Sequence, residues 1–209
     1  MEKNHSLVLV SGFTAAGKTT HARLLAEDLG WRYLGSSAIR RHLLSSMGRA
    51  RSTTVEWDPG VDDMRKRVPD IDVMVDGIIA DLISATRSPL VVDAWLQPWL
   101  CHRTSAVRVW LGSGEESRIL KAAVSLLRRG SAPPHDLAAQ VKRKDEFSVD
   151  LFRSLYGIEF GPEAGLFDVV LDNSRYIGSA SIADSDQGIL RFKQVFLAAV
   201  SAALSAKAA

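Results

Sequence analysis

Eight residues, Gly12-Phe13-Thr14-Ala15-Ala16-Gly17-Lys18-Thr19, carry the spacing G-x-x-x-x-G-K-[ST] with every fixed position filled. Each fixed type has a chemical reason. The glycines let the backbone turn so that successive N–H groups point inward at phosphate oxygens. A helix opening near Lys18 adds the positive end of its dipole. The Lys18 ammonium would reach the β- and γ-phosphates of a nucleotide, and the Thr19 hydroxyl would meet magnesium. A nucleoside triphosphate, ATP, is expected on Gly12, Thr14, Ala15, Ala16, Gly17, Lys18, Thr19 and Thr20.

A second acid-bearing position follows from the same logic. Asp93 ends the apolar run Leu90-Val91-Val92. The carboxyl end of a neighbouring parallel strand is where a nucleotide's metal or its water shell is held, so Thr19 and Asp93 form the candidate magnesium pair. A turn-capping role is the plainer alternative for Asp93.

The elements that must position these groups can be read from the apolar pattern. Short apolar or β-branched runs at residues 7–10, 31–34, 90–92, 107–111 and 169–171 predict strands. The first and third are apolar throughout rather than alternating, as in a parallel sheet covered on both faces. Helical patterns lie between them at residues 19–29, 39–46, 71–85, 115–129 and 137–155, with a last amphipathic stretch at 190–204. Alternating strand and helix predicts an α/β fold with right-handed crossovers. The phosphate loop directly follows the first strand and precedes the first helix, the setting the motif requires.

The totals bound the rest. A chain of 209 residues suits one compact domain, and 46% hydrophobic with 24% charged residues is ordinary for a globular protein with a real core. A formal net charge of +2 is too mild to argue for a nucleic-acid partner, so none is expected. Cys101 is the sole cysteine, which excludes an intrachain disulfide and a cysteine-rich zinc site. The apolar run at 7–10 is too short for a membrane span and lacks a cleavage pattern, so a cytoplasmic protein without a membrane partner is expected, as a monomer or homodimer. Two strand-poor segments are rich in charge: residues 36–70 carry Arg40, Arg41, Arg49, Arg51, Arg65, Lys66 and Arg67, and residues 118–144 carry Lys121, Arg128, Arg129, Lys142, Arg143 and Lys144. In isolation either could be a solvated helical face; beside a phosphate loop they could close over phosphates.

Small GTPases share such a loop but read guanine with Asn-Lys-x-Asp, and neither Asn4 nor Asn173 begins that motif. Transporter-type ATPases need a signature motif and more length. A compact kinase remains. Residues 11–41 resemble the opening of the cytidylate kinase-like branch of the P-loop nucleoside monophosphate kinases: the loop, a helix ending Leu-Ala-Glu-Asp-Leu-Gly, the aromatic strand Trp31-Arg32-Tyr33-Leu34, then Ser-Ser-Ala-Ile-Arg-Arg. The resemblance recurs at residues 90–99, 107–118, 144–157 and 167–174, so that from its first residue to its last it spans about four-fifths of the chain. It implies five parallel strands in the order 2-3-1-4-5, a core at 1–35, 86–112 and 160–209, an acceptor-binding insertion near 36–85 and a lid near 113–159. It places the acceptor's phosphate on Arg41, with Ser37 and Trp95 as further acceptor contacts. Arg118, Arg128 and Arg129 become lid arginines for the transferring phosphates, and the loop at Asn173 lies against the adenine. Lys18, Asp93, Arg118 and Arg129 form the implied catalytic set.

Three departures from that family stand out. Where it has Gly-Arg after the third-strand acid, this chain has Ala94-Trp95, an aromatic surface in place of a bidentate phosphate contact. The second arginine-rich stretch of the lid reads Asp-Glu-Phe-Ser-Val-Asp-Leu-Phe at residues 145–152, and residues 122–130 form a longer segment than usual. Three readings are compatible with these residues: a kinase for CMP or a modified pyrimidine nucleotide, a P-loop kinase for a hydroxyl, phosphonate or nucleoside acceptor, and a nucleotide-binding regulator with little turnover.

Overall fold

The computed structural model describes residues 6–47 and 70–208. Five strands, β1 Leu7–Ser11, β2 Arg32–Gly35, β3 Leu90–Asp93, β4 Val107–Gly112 and β5 Val169–Asp172, form one parallel sheet in the order β2-β3-β1-β4-β5. The helices are α1 Lys18–Leu29, α2 Ser36–Ser46, α3 Ile71–Ala85, the single turn α4 Gln97–Leu100, α5 Glu115–Leu127, α6 Leu137–Tyr156 and α7 Ile182–Ala208. The expected strand order and the α/β fold are what the structure shows.

Every residue of β1 and β3 is buried because both faces of the sheet are covered. Val8, Val10, Val91, Val107, Val109 and Leu111 face α1 and α7, meeting Ala22, Leu25, Phe192 and Phe196. The alternate residues Leu7, Leu9, Leu90 and Val92 face α2 and α3, against Leu44, Ile71, Val75 and Ile79. Period-two alternation in the strands sends neighbours to opposite layers. An aromatic cluster of Trp110, Phe152 and Phe160, with Phe13, Trp95 and Trp99 packed on it, ties the α6 segment to the sheet.

Several boundaries differ from the sequence expectation. The second strand is shifted by one, starting at Arg32 and ending at Gly35. Helix α2 begins at Ser36, three residues earlier than the apolar pattern indicates, because β2 passes into it without a loop. Helix α5 stops at Leu127, so Arg128 and Arg129 lie in the turn that follows it. Helix α7 runs 27 residues rather than the fifteen or so expected from its apolar stretch. By length and composition α7 could cross a membrane; here one of its faces carries Phe192, Phe196 and Val200 into the core. Of the basic segment at 36–70, Arg49, Arg51, Arg65, Lys66 and Arg67 lie outside the described residues.

Candidate active site

The phosphate loop takes the shape its residue types demand. Gly12 has φ 152°, and a Cβ there would stand 3.2 Å from the Leu111 carbonyl carbon and nearer still to its oxygen. No side chain fits between β1 and β4 at that point. Gly17, the residue before α1, has φ 89°, and Ala15 has φ 59°, the one non-glycine at positive φ among the described residues. These turns wrap the backbone around the amino end of α1, aiming N–H groups and helix dipole at one spot. Lys18 folds back over the loop, its Nζ donating to the Phe13 carbonyl at 2.8 Å and lying 5.6 Å from the centre of the Trp95 ring.

Asp93 stands beside the loop because β3 lies next to β1, with Val10 opposite Asp93 in the register. The Thr19 hydroxyl donates to Asp93 Oδ2, and the Tyr33 hydroxyl reaches the same oxygen at 3.3 Å. A hydroxyl and a carboxylate meeting in this way suit a hard cation that takes its remaining ligands from phosphate and water. Among the described residues no group of three or more His, Cys, Asp or Glu side chains is arranged to hold a metal ion. The donor set therefore fits magnesium carried in with a nucleotide rather than an ion caged by protein ligands alone.

The loop, Asp93 and the candidate acceptor residues open onto one cavity of about 660 Å³. Thr14, Ala15, Gly17, Lys18, Thr19 and Thr20 line it, while Gly12 and Ala16 lie behind. The Ala16 carbonyl accepts a hydrogen bond of 2.8 Å from Asn173 Nδ2. Ser37, Arg41 and Trp95 reach the same cavity, as do Arg128, Arg129 and Asn173. Asn173 is buried, so its amide braces the loop from beneath besides edging the cavity. Arg128 pairs across to Asp186 on α7. Arg118 turns the other way: it pairs with Asp145, donates to the Thr14 carbonyl at 3.2 Å and covers the Phe13 ring. Trp95 is at once a half-buried member of the aromatic cluster and a cavity wall.

Two lysines that the sequence names only as members of the basic segment 118–144 also reach the cavity. Lys144 is buried on α6 and lines the cavity with Lys121 of α5. One signal for Lys144 exists in the sequence. The buried positions of α6 are Leu137, Val141, Lys144, Ser148 and Phe152, a helical stripe that contains one lysine. Lys121 donates to Ser113 Oγ at 2.8 Å and to Asn173 Oδ1. Burial pulls its pKa down to about 8; Asp172 nearby pushes it back up and Arg118 adds a smaller downward push. His21, under the loop against Phe192 at 4.8 Å, is held down to about 4 by burial, with a further contribution from Lys121.

The electrostatic balance of the cavity is one-sided. Its described walls carry Lys18, Arg23, Arg40 and Arg41 from α1 and α2, and Lys121, Arg128, Arg129 and Lys144 from the segment 118–144. Asp93 is the one carboxylate among them. Such a chamber concentrates polyanions.

No family model matches the chain. Among curated proteins it is similar to a cytidylate kinase of Ignicoccus hospitalis, 25% identical over 185 residues that span 88% of this chain and 99% of that protein. A cytidylate kinase of Pyrobaculum neutrophilum is 29% identical over 168 residues, 80% of this chain and 84% of the relative. Among solved structures, an uncharacterized protein from Eubacterium ventriosum has the same fold, with a TM-score of 0.52 at 12% identity over 91% of this chain and 99% of that one. With relatives of this name along most of its length, a 2-3-1-4-5 parallel sheet and a phosphate loop at the end of its central strand, the chain is a kinase, a phosphotransferase similar to the cytidylate kinases.

Proposed function

We propose that the chain moves the γ-phosphoryl group of ATP, with magnesium, onto a pyrimidine nucleoside monophosphate, CMP or a modified analogue, in the cytoplasm. The observation that carries this reading is the single cavity that joins the loop at Lys18 to Arg41 and Ser37 and holds one carboxylate among its many cations. In the reaction an oxygen of the acceptor's phosphate attacks the γ-phosphorus, and the bond to the β-bridging oxygen breaks to leave ADP. The loop N–H groups and Lys18 hold the β- and γ-phosphates. Arg41 and Ser37 orient the acceptor's phosphate, and Lys121, Arg129 and Lys144 spread the charge that builds on the equatorial oxygens. Thr19 and Asp93 would hold magnesium, which when bound neutralises charge across the same phosphates.

The test is an ADP-release assay across nucleoside monophosphates and nucleosides, with Lys18→Ala as control. Turnover with CMP that Lys18→Ala abolishes is expected. Turnover that survives Lys18→Ala removes the loop from the reaction. A second reading is favoured by Trp95, the aromatic group beside Lys18: an acceptor that presents a hydroxyl on an uncharged ring. Turnover with nucleosides and none with monophosphates selects it.

A further inference from the structure

The carboxylate at the end of β3 has a second anchor that the reaction scheme above does not use. Tyr33 and Gly35 lie two apart on β2, so their side-chain positions share one face of the sheet. In the register Gly35 is directly opposite Asp93, and Tyr33 is opposite Val91. To reach Asp93, the Tyr33 ring must therefore lean along its own strand, over residue 35. A Cβ at Gly35 would stand 3.0 Å from Tyr33 Cζ, 3.3 Å from Cε1 and closer still to the hydroxyl oxygen. The glycine leaves the lane in which the phenol lies.

The other contacts fix the phenol in that lane. The Arg23 guanidinium of α1 lies 5.1 Å from the ring centre. The ring packs on the core layer formed by Val8, Val10 and Val91. Its hydroxyl donates at 3.3 Å to Asp93 Oδ2, the oxygen that also accepts from Thr19. Two hydroxyls from different elements converge on one oxygen of a buried carboxylate.

We propose that Tyr33, given its lane by Gly35, is a positioning residue that sets the orientation of Asp93 for the nucleotide-bound divalent cation. The inference rests on the reading of Thr19 and Asp93 as the metal pair. A carboxylate held from outside by a hydrogen bond offers its oxygens in one fixed direction, and outer-shell donors of this kind are worth on the order of tenfold or more in metal affinity.

Manganese, read by electron paramagnetic resonance with the full chain and saturating ADP, is the probe. Tyr33→Phe keeps the ring and removes the hydroxyl; it is expected to raise the dissociation constant for manganese on the order of tenfold. Its affinity for ADP without metal should match wild type. Gly35→Ala, which displaces the hydroxyl instead of deleting it, is expected to weaken manganese in the same direction. The double variant should add little to either single change, since both break one contact. Asp93→Asn weakening manganese while Tyr33→Phe leaves it unchanged overturns the role of Tyr33. A Tyr33→Phe variant that loses metal-free ADP binding by the same factor also overturns it, because the phenol would then be shaping the loop. Asp93→Asn with undiminished manganese affinity overturns the metal reading and this inference together.

Discussion

Asp145 on α6 accepts a hydrogen bond of 3.0 Å from the backbone N–H of Thr14, a phosphate-loop residue 131 positions earlier in the chain. The same carboxylate pairs with Arg118 of α5, and Arg118 in turn donates to the Thr14 carbonyl at 3.2 Å. The backbone N–H and C=O of Thr14 are thus both held by a single ion pair, with Arg118 and Asp145 only 12% and 13% exposed. The helices on either side of residues 128–136 are thereby clamped to the phosphate loop.

This clamp predicts an asymmetric mutational result. Asp145→Ala strands a buried guanidinium whose Nε already lacks a partner. The expected loss is about 3 kcal/mol of stability, with kcat/KM for ATP falling on the order of tenfold as Thr14 loosens. The Arg118→Met, Asp145→Leu double variant should recover most of the stability, because no charge is left buried alone. Denaturant titration of the three variants checks the order. A double variant no more stable than Asp145→Ala rules out the stranded charge as the cause.

Lys121 predicts a pH dependence for nucleotide binding. Its pKa is held near 8 by burial, and phosphate prefers the charged form. ADP affinity is therefore expected to fall as pH rises through about 8 and to level off above it. Lys121→Arg, charged throughout this range, should flatten that fall. The stability contribution has the opposite sign: between about 8 and the ordinary lysine value near 10.5 the unfolded chain binds more protons, so folding strengthens with rising pH. Calorimetry of ADP binding from pH 7 to 9.5, wild type against Lys121→Arg, distinguishes the two profiles.

Much of this architecture is legible from residue order, and the parts that are not have physical causes. The central strands announce themselves because both faces of β1 and β3 are covered, which leaves unbroken apolar runs. Their ends are less visible, since Ser11, Gly35, Asp93 and Gly112 are polar or glycine residues that serve the site or its approaches. The first two turns of α7 read as a loop because they hold Asp184, Ser185, Asp186 and Gly188. Gly188 is not a breaker there. A Cβ at that position would come within 3.0 Å of the Tyr176 carbonyl, so the helix needs a bare backbone to pass over the turn at Ser174–Tyr176. Within the site, Lys18, Thr19 and Asp93 follow from local motif and strand end. The turning of Arg118 toward Asp145 does not, because it depends on how two helices meet. Tyr33 is hidden for the same reason: its partner is on the neighbouring strand, 60 residues away.

Trp95 predicts a split in kinetic constants. Its indole meets Phe152 edge-on at 5.3 Å, and its carbonyl accepts from Ser11 Oγ at 2.6 Å, so the ring is fixed where it borders the cavity. Trp95→Phe preserves most of the packing and shrinks the wall. The KM for the acceptor should rise several-fold, about 1 kcal/mol of lost aromatic contact, while the KM for ATP stays unchanged. Trp95→Arg should favour monophosphates over nucleosides relative to wild type by adding a phosphate contact. Steady-state kinetics with both substrates varied gives each constant, and an ATP KM that moves with the acceptor's would make Trp95 a support of the donor loop.

His21 predicts where the fold fails in acid. The imidazole is buried between the loop and α7, in contact with Phe192 and Phe196, and its Nδ1 has no hydrogen-bond partner. Folded, it resists protonation down to about 4; unfolded, it takes a proton at its ordinary 6.5. Its contribution to stability is thus fully present above 6.5 and is lost progressively as pH falls toward 4. The difference of about 2.5 units corresponds to about 3 kcal/mol at full effect. His21→Leu, close in volume and suited to the phenylalanine contacts, should remove most of this slope between pH 6.5 and 4 and leave the neutral-pH stability similar. Denaturant titrations across that window read the slope directly. An unchanged slope in His21→Leu would assign the acid sensitivity to other groups instead.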